Sequence, residues 1–196
     1  MKQRRARVQR VTRETQIKLQ LNLDGSGQAD IDSGLPFLNH MLELLTRHAL
    51  LDLSLRAKGD LEVDDHHTVE DIGLSLGMAL DRALGTRKGI RRYGHAYAPM
   101  DEALSRVVLD LGGRPYLVYK LATRRRKIRT FDLNLIKEFL QALCVAGRMN
   151  LHVAQLYGDE PHHACESVFK GLAQALRMAL AIDPRERGIP SSKGRL

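Results

Sequence analysis

The chain has 196 residues, 43% of them apolar, and a formal net charge of +8 from 31 Lys and Arg against 23 Asp and Glu. That length suits one domain or two small ones and buries a core without disulfide staples, and 28% charged residues argue against wholesale disorder. Trp is absent and aromatics make up 5%, which counts against a base-stacking nucleic-acid platform. The two cysteines, Cys144 and Cys165, lack CxxC spacing, so neither a disulfide framework nor a Cys-based zinc site is expected. No run is long and apolar enough to span a membrane, and the basic stretch from Met1 to Arg13 does not read as a secretory signal; a cytoplasmic protein is expected.

In chain order, Ile17, Leu19, Leu21 and Leu23 alternate as in a half-buried strand, followed by a turn at Gly25-Ser26-Gly27. Gly34 and Pro36 precede a helix over about 38–48, and Leu53 and Leu55 mark another strand. At residues 66–70 the chain reads HHTVE, and Val69, Ile72, Leu76, Leu80 and Ala83 then follow helical spacing. The second half repeats the order. Val107, Leu109 and Leu111 alternate before Gly112-Gly113, Leu117 and Tyr119 resume the alternation, a helix is expected over about 133–147, and Leu151 and Val153 mark a strand. Residues 162–166 then read HHACE, with Val168, Leu172, Leu176 and Ala179 at helical spacing. The HHxxE motifs lie 96 residues apart, and the preceding helix and strand blocks match at an offset of 98. This predicts an α+β protein built from an internally duplicated unit of strands and two helices, with sheets packed against a helical layer. The units are 1–93 and 94–186, packed as one, with 187–196 as a C-terminal substrate-binding tail.

A His and a Glu at i and i+4 project from one helix face and can hold a divalent ion, while the adjacent His points elsewhere, toward a second ion or a neighbouring chain. Two motifs give His66, His67, Glu70, His162, His163 and Glu166, an N/O donor set without thiolate that suits Mn²⁺, Fe²⁺ or Zn²⁺. The offset of 98 pairs His40 with Glu138 as a further pair of potential ligands. Asp64 and Asp65, just ahead of the first motif, can either orient imidazoles or cap the helix. The positive excess gathers in 4–13, 87–92 and 124–129, compatible with solvated edge strands and loops, with an anionic small molecule, or with nucleic acid.

The motifs FLNHML (37–42), DHHTVED (65–71), PMDEAL (99–104), GRP (113–115), HHACE (162–166) with Phe169-Lys170, and PSSKG (190–194) occur in that order. Together they resemble the imidazoleglycerol-phosphate dehydratase family of histidine biosynthesis, over essentially the whole chain from about Arg4. The resemblance implies a duplicated α+β fold, a 24-subunit cage assembled from trimers, and two Mn²⁺ per active site, with sites formed between subunits. It implies dehydration of imidazole-glycerol phosphate to imidazole-acetol phosphate through a metal-stabilised imidazolate and a diazafulvene-like intermediate. By position it makes His40, His66, His67, Glu70, Glu138, His162, His163 and Glu166 metal ligands. It assigns substrate contacts to Glu14, His48, Arg92, Arg114, Lys170, Ser191 and Lys193, mostly for phosphate. Glu14, Glu70, Asp101 and Glu166 are the candidates for proton transfer at C2. The chain departs from the family pattern at Glu138, where His is frequent, and at Asn39, Leu44 and Gly112. A nucleic-acid-binding protein with a structural metal and a phosphate-ester metallohydrolase are the rival readings; the first would need aromatics interleaved with its basic runs.

Overall fold

A computed structural model describes residues 4–121, 123 and 126–196. Arg124 and Arg125 of the third basic run lie outside the described residues. The first half comprises β1 (Arg5–Val11), β2 (Thr15–Asn22), β3 (Ala29–Asp32), α1 (Pro36–Ala49), β4 (Asp52–Gly59) and α2 (His66–Leu84). The second comprises β5 (Tyr93–Met100), β6 (Ala103–Asp110), β7 (Tyr116–Lys120), a small ribbon of β8 (Lys127–Ile128) and β9 (Phe131–Asp132), α3 (Asn134–Gly147), β10 (Asn150–Tyr157) and α4 (Pro161–Leu180).

The two large sheets have orders β1-β2-β4-β3 and β5-β6-β10-β7, which is one topology written twice. In each, a hairpin is joined antiparallel to a third strand, and the outer strand (β3 or β7) runs parallel to that third strand. The likeness extends to backbone detail. Leu50 after α1 and Arg148 after α3 both take left-handed φ angles, 55° and 51°, and both helices close with backbone N–H groups turned back onto the last turn. Neither cap is a glycine, so the sequence carries no signal for them.

Alternation places Ile17, Leu19 and Leu21 of β2, and Val107 and Leu109 of β6, on the inner faces. The first sheet rests on α2 and the second on α4, while helices pair across the repeat, α1 with α4 and α2 with α3. One apolar core runs through both halves. The α2–α3 contact is close because Gly73 and Gly77, one turn apart, leave no side chain between the backbones. A Cβ on Gly77 would stand 2.7 Å from the Leu143 carbonyl oxygen, and one on Gly73 2.6 Å from that of Phe139. Pro36 and Pro161 open α1 and α4, where a missing N–H costs nothing. No helix of the described residues is long and apolar enough to cross a membrane. Cys144 and Cys165 are free and buried, and burial pushes both thiols up to about 12, so they are inert packing groups.

The turn at 25–27 and the glycines at 112–113 each begin a connection to a strand on the far side of β4 or β10. The first basic run contains β1, an edge strand whose only fully buried side chain is Val8. Lone inward burial hides the period-two pattern that identifies β2.

Candidate metal centre and active site

Both HHxxE motifs sit at helix N-termini. His66 opens α2, and Asp64, rather than Asp65, accepts its backbone N–H at 2.8 Å. His66 Nε2 lies 3.8 Å from Glu70 Oε2 one turn on, a loose and exposed pair. In α4 the equivalent contact is tight, with His162 Nε2 3.0 Å from Glu166 Oε1. The buried face of α1, with Leu38, Met41, Leu42 and Leu45, packs that helix beside α4 and brings His40 Nε2 to 3.0 Å from the same oxygen. Phe37 packs edge-on against the His162 ring, 5.5 Å between centroids.

His40, His162 and Glu166 each offer one ligand atom, all within 4.8 Å of one another. Two ligands about 2.1 Å from one ion and at right angles stand about 3 Å apart, so this N/N/O set fits a divalent ion of borderline hardness. Glu166 is 7% exposed. Burial pushes its carboxyl up, but hydrogen bonds from Lys170, His40 and His162 outweigh that and bring it down to about 2. Lys170 Nζ donates to Glu166 Oε2 at 2.6 Å and lies 2.9 Å from Met100 Sδ. Glu166 is therefore an ionised carboxylate with both oxygens engaged.

The second His of each pair is oriented by a carboxylate that no motif spacing reveals. His67 Nδ1 lies 3.0 Å from Asp60, and His163 Nδ1 lies 2.8 Å from Glu102. Those hydrogen bonds hold both imidazoles above the ordinary histidine range. Each leaves Nε2 beside another carboxylate: Glu14 at 3.9 Å from His67 and Asp101 at 3.8 Å from His163. Glu14 comes from the β1–β2 turn and Asp101 from the β5–β6 turn, so the repeat symmetry extends to these acids. Asp101 sits at φ 46°, a left-handed conformation set by its tight turn.

A second group gathers near the chain's end. Arg92 makes a bidentate pair with Asp110, Nε–Oδ1 2.7 Å and Nη2–Oδ2 2.9 Å, and Nη1 donates to the Pro190 carbonyl at 2.8 Å. Its guanidinium also stacks 4.7 Å from the Tyr93 ring centroid. Arg92 thus anchors the tail that carries Ser191 and Lys193. Lys193 N–H donates to Ser191 Oγ at 3.2 Å, and the Lys193 side chain is exposed, as is that of Arg114. A Cβ on Gly112 would meet the Arg92–Asp110 pair at 2.6–2.8 Å, and one on Gly113 would stand 2.9 Å from the Leu196 backbone, so this turn packs against both. His48, in the last turn of α1, is lowered by burial and by the charge of Lys170.

The structure thus joins His40, His162, Glu166 and Lys170, sets Glu14 beside His67 and Asp101 beside His163, and ties Arg92 to the Ser191–Lys193 tail. It does not draw Glu138 into a cluster: partly buried on α3, Glu138 makes no hydrogen bond or ion pair with a described residue. Asp60 and Glu102 are the residues that sequence reasoning missed.

A sequence profile of the imidazoleglycerol-phosphate dehydratase family matches residues 33–176. A protein of Nitrosomonas eutropha named imidazoleglycerol-phosphate dehydratase is 55% identical over 97% of this chain and 98% of its own. One of Marinobacter nauticus with the same name is 53% identical over the full length of both. The chain belongs to the imidazoleglycerol-phosphate dehydratase family. The crystal structure of the Staphylococcus aureus dehydratase superposes with a TM-score of 0.83 at 38% identity, covering 91% of this chain and 99% of that one. The Pyrococcus furiosus enzyme superposes with a TM-score of 0.84 at 33% identity, covering 96% and 100%. Members of the imidazoleglycerol-phosphate dehydratase family are hydro-lyases of histidine biosynthesis, and this chain is one of them. The family profile spans α1 through most of α4, and therefore includes His40, both His pairs, Glu166 and Lys170; Glu14 and the 190–194 tail lie outside it.

Proposed function

We propose that the chain dehydrates D-erythro-imidazole-glycerol phosphate to imidazole-acetol phosphate and water, using two Mn²⁺ per active site. The observation that carries this reading is the His40–His162–Glu166 group, in a chain that matches dehydratases of the family over its full length. In this reading His40, His162 and Glu166 would hold one ion, and His66, Glu70 and Glu138 would supply the looser counterpart. His67 and His163 turn their Nε2 atoms toward neighbouring copies in a 24-subunit cytoplasmic assembly. Units 1–93 and 94–186 would each contribute half of such a site, with the tail 187–196 closing over substrate; their matching sheet orders support that division.

Bound ions would supply Lewis acidity to the nitrogens of the substrate imidazole. The chain's own residues account for the rest. The ring's electrons expel the C3 hydroxyl, giving a diazafulvene-like species; loss of the C2 proton then gives an enol, which becomes the ketone. Glu166 stays on the ligand side, because His40, His162 and Lys170 already engage both of its oxygens, and Glu70 is read as its counterpart in the first motif. Glu14 and Asp101, exposed at the rim beside His67 and His163, are the better placed acids for moving the C2 proton. Lys170, Arg114, Ser191 and Lys193 bind the phosphate, with Arg92 holding the tail in place and His48, which burial and the Lys170 charge hold toward its neutral form, as a further substrate contact.

Incubation of the Mn²⁺-loaded protein with imidazole-glycerol phosphate should yield a product one water lighter that retains its phosphate. Release of inorganic phosphate without that product would instead identify a phosphate-ester hydrolase.

A further inference from the structure

We propose that Asp71 is a positioning residue that fixes Glu14 beside His67. The inference rests on the reading of Glu14 as a proton-transfer group. Asp71 follows Glu70 in sequence but lies one helical turn after His67, on the inward side of α2, and is 6% exposed. Its Oδ2 accepts the hydroxyl hydrogen of Thr15, which is 2% exposed, and its Oδ1 lies 2.8 Å from Arg10 Nη2. Thr15 is the residue after Glu14. Its hydroxyl stands 3.2 Å from that of Thr12, and Thr12 Oγ1 accepts the backbone N–H groups of Glu14 at 3.1 Å and Thr15 at 2.9 Å. On the other side, the Glu14 carbonyl accepts the Asp60 N–H at 3.1 Å, and the Asp60 carboxylate holds His67 Nδ1.

These links close a ring: Asp71 to Thr15, along the chain to Glu14, across to Asp60, on to His67, and down one turn of α2 back to Asp71. The turn that carries Glu14 and the helix that carries His66, His67 and Glu70 are thereby fixed to one another from both sides. Stability alone gives little reason for a charge here. A buried ion pair rarely outperforms a neutral pair, and Arg10 Nε is left buried without a partner among the described residues. The second unit illustrates the neutral solution. Ser167, at the offset of 96 from Asp71, meets a hydroxyl of β6, Ser105, with the two Oγ atoms 2.6 Å apart.

The test is the Arg10→Ala/Asp71→Ser pair, which removes both charges and leaves neither buried alone, made with and without Glu14→Gln. The Mn²⁺-loaded variant is expected to keep its metal content, to lose amide-exchange protection at Glu14 and Thr15, and to fall roughly 10- to 100-fold in kcat. In the Glu14→Gln background the same pair should cost almost nothing further, because the group it positions is already gone. Unchanged protection at those two amides, or an equal kcat loss in both backgrounds, would overturn the proposal. Full turnover by Glu14→Gln alone would count against Glu14 as the proton-transfer group, and amide exchange would then decide the positioning by itself.

Discussion

Glu166 is the residue on which the site turns. Two imidazoles share one of its oxygens and an ammonium takes the other, so its charge is compensated although it is buried. A carboxyl whose folded pKa lies below its unfolded value stabilises the fold above the unfolded pKa and loses that stabilisation as pH falls through the folded one. For Glu166 the window runs from about 4.5 down to about 2. The metal-free protein should therefore lose stability across that range, on the order of 1–3 kcal/mol from this group. Thermal melting of wild type and Glu166→Gln between pH 5 and about 2 checks it: the variant should show a flatter acid limb, and parallel curves would contradict the assignment. His67 and His163 illustrate a different point. Their Nδ1 partners, Asp60 and Glu102, lie 7 and 61 residues away and share no offset, so no motif spacing could find them. No local spacing reveals the juxtaposition of His40 with Glu166, 126 residues apart; the repeat offset and the family resemblance made both candidate ligands without pairing them.

Among the elements, helix pairing sets the ligand geometry. The α1–α4 contact brings His40 to His162 and Glu166, and the α2–α3 contact is its repeat counterpart. The latter depends on Gly73 and Gly77, whose missing side chains let α3 approach. Gly→Ala in an exposed helix interior usually gains up to about 1 kcal/mol from propensity. Gly77→Ala should do the reverse, costing about 2 kcal/mol, because the new methyl meets α3 backbone that has no rotamer with which to yield. Denaturant unfolding measures this, and a stabilised variant would refute the packing account. The strongly periodic elements, β2, β6 and the two HHxxE helices, were readable from sequence because one face of each is fully buried. The edge strand β1 and the short β3 were not, since β1 buries only Val8 fully and β3 buries none of its four residues. The β8–β9 ribbon, two residues a side, is too short to carry a period.

At the scale of the whole molecule, the charge of +8 has a specific distribution. Arg4 pairs with Asp24, Arg10 with Asp71, Arg87 with Asp81 and Arg92 with Asp110, so much of the basic excess in the first two runs is paired with carboxylates of the same chain. What stays open near the tail, Arg114 and Lys193, suits a small anion better than a polyanion. Within one chain His67 and His163 stay partly exposed, with their Nε2 atoms 3.9 Å and 3.8 Å from Glu14 and Asp101. If ions bridge copies there, chelation should lower the sedimentation coefficient and Mn²⁺ should restore it; an unchanged coefficient would remove the bridging role. The central claim, a metal-dependent dehydratase, is tested most directly by turnover of imidazole-glycerol phosphate by chelator-treated protein, before and after Mn²⁺ is returned. Product should disappear on chelation and return on Mn²⁺ addition, and full turnover by metal-free protein would contradict metal dependence.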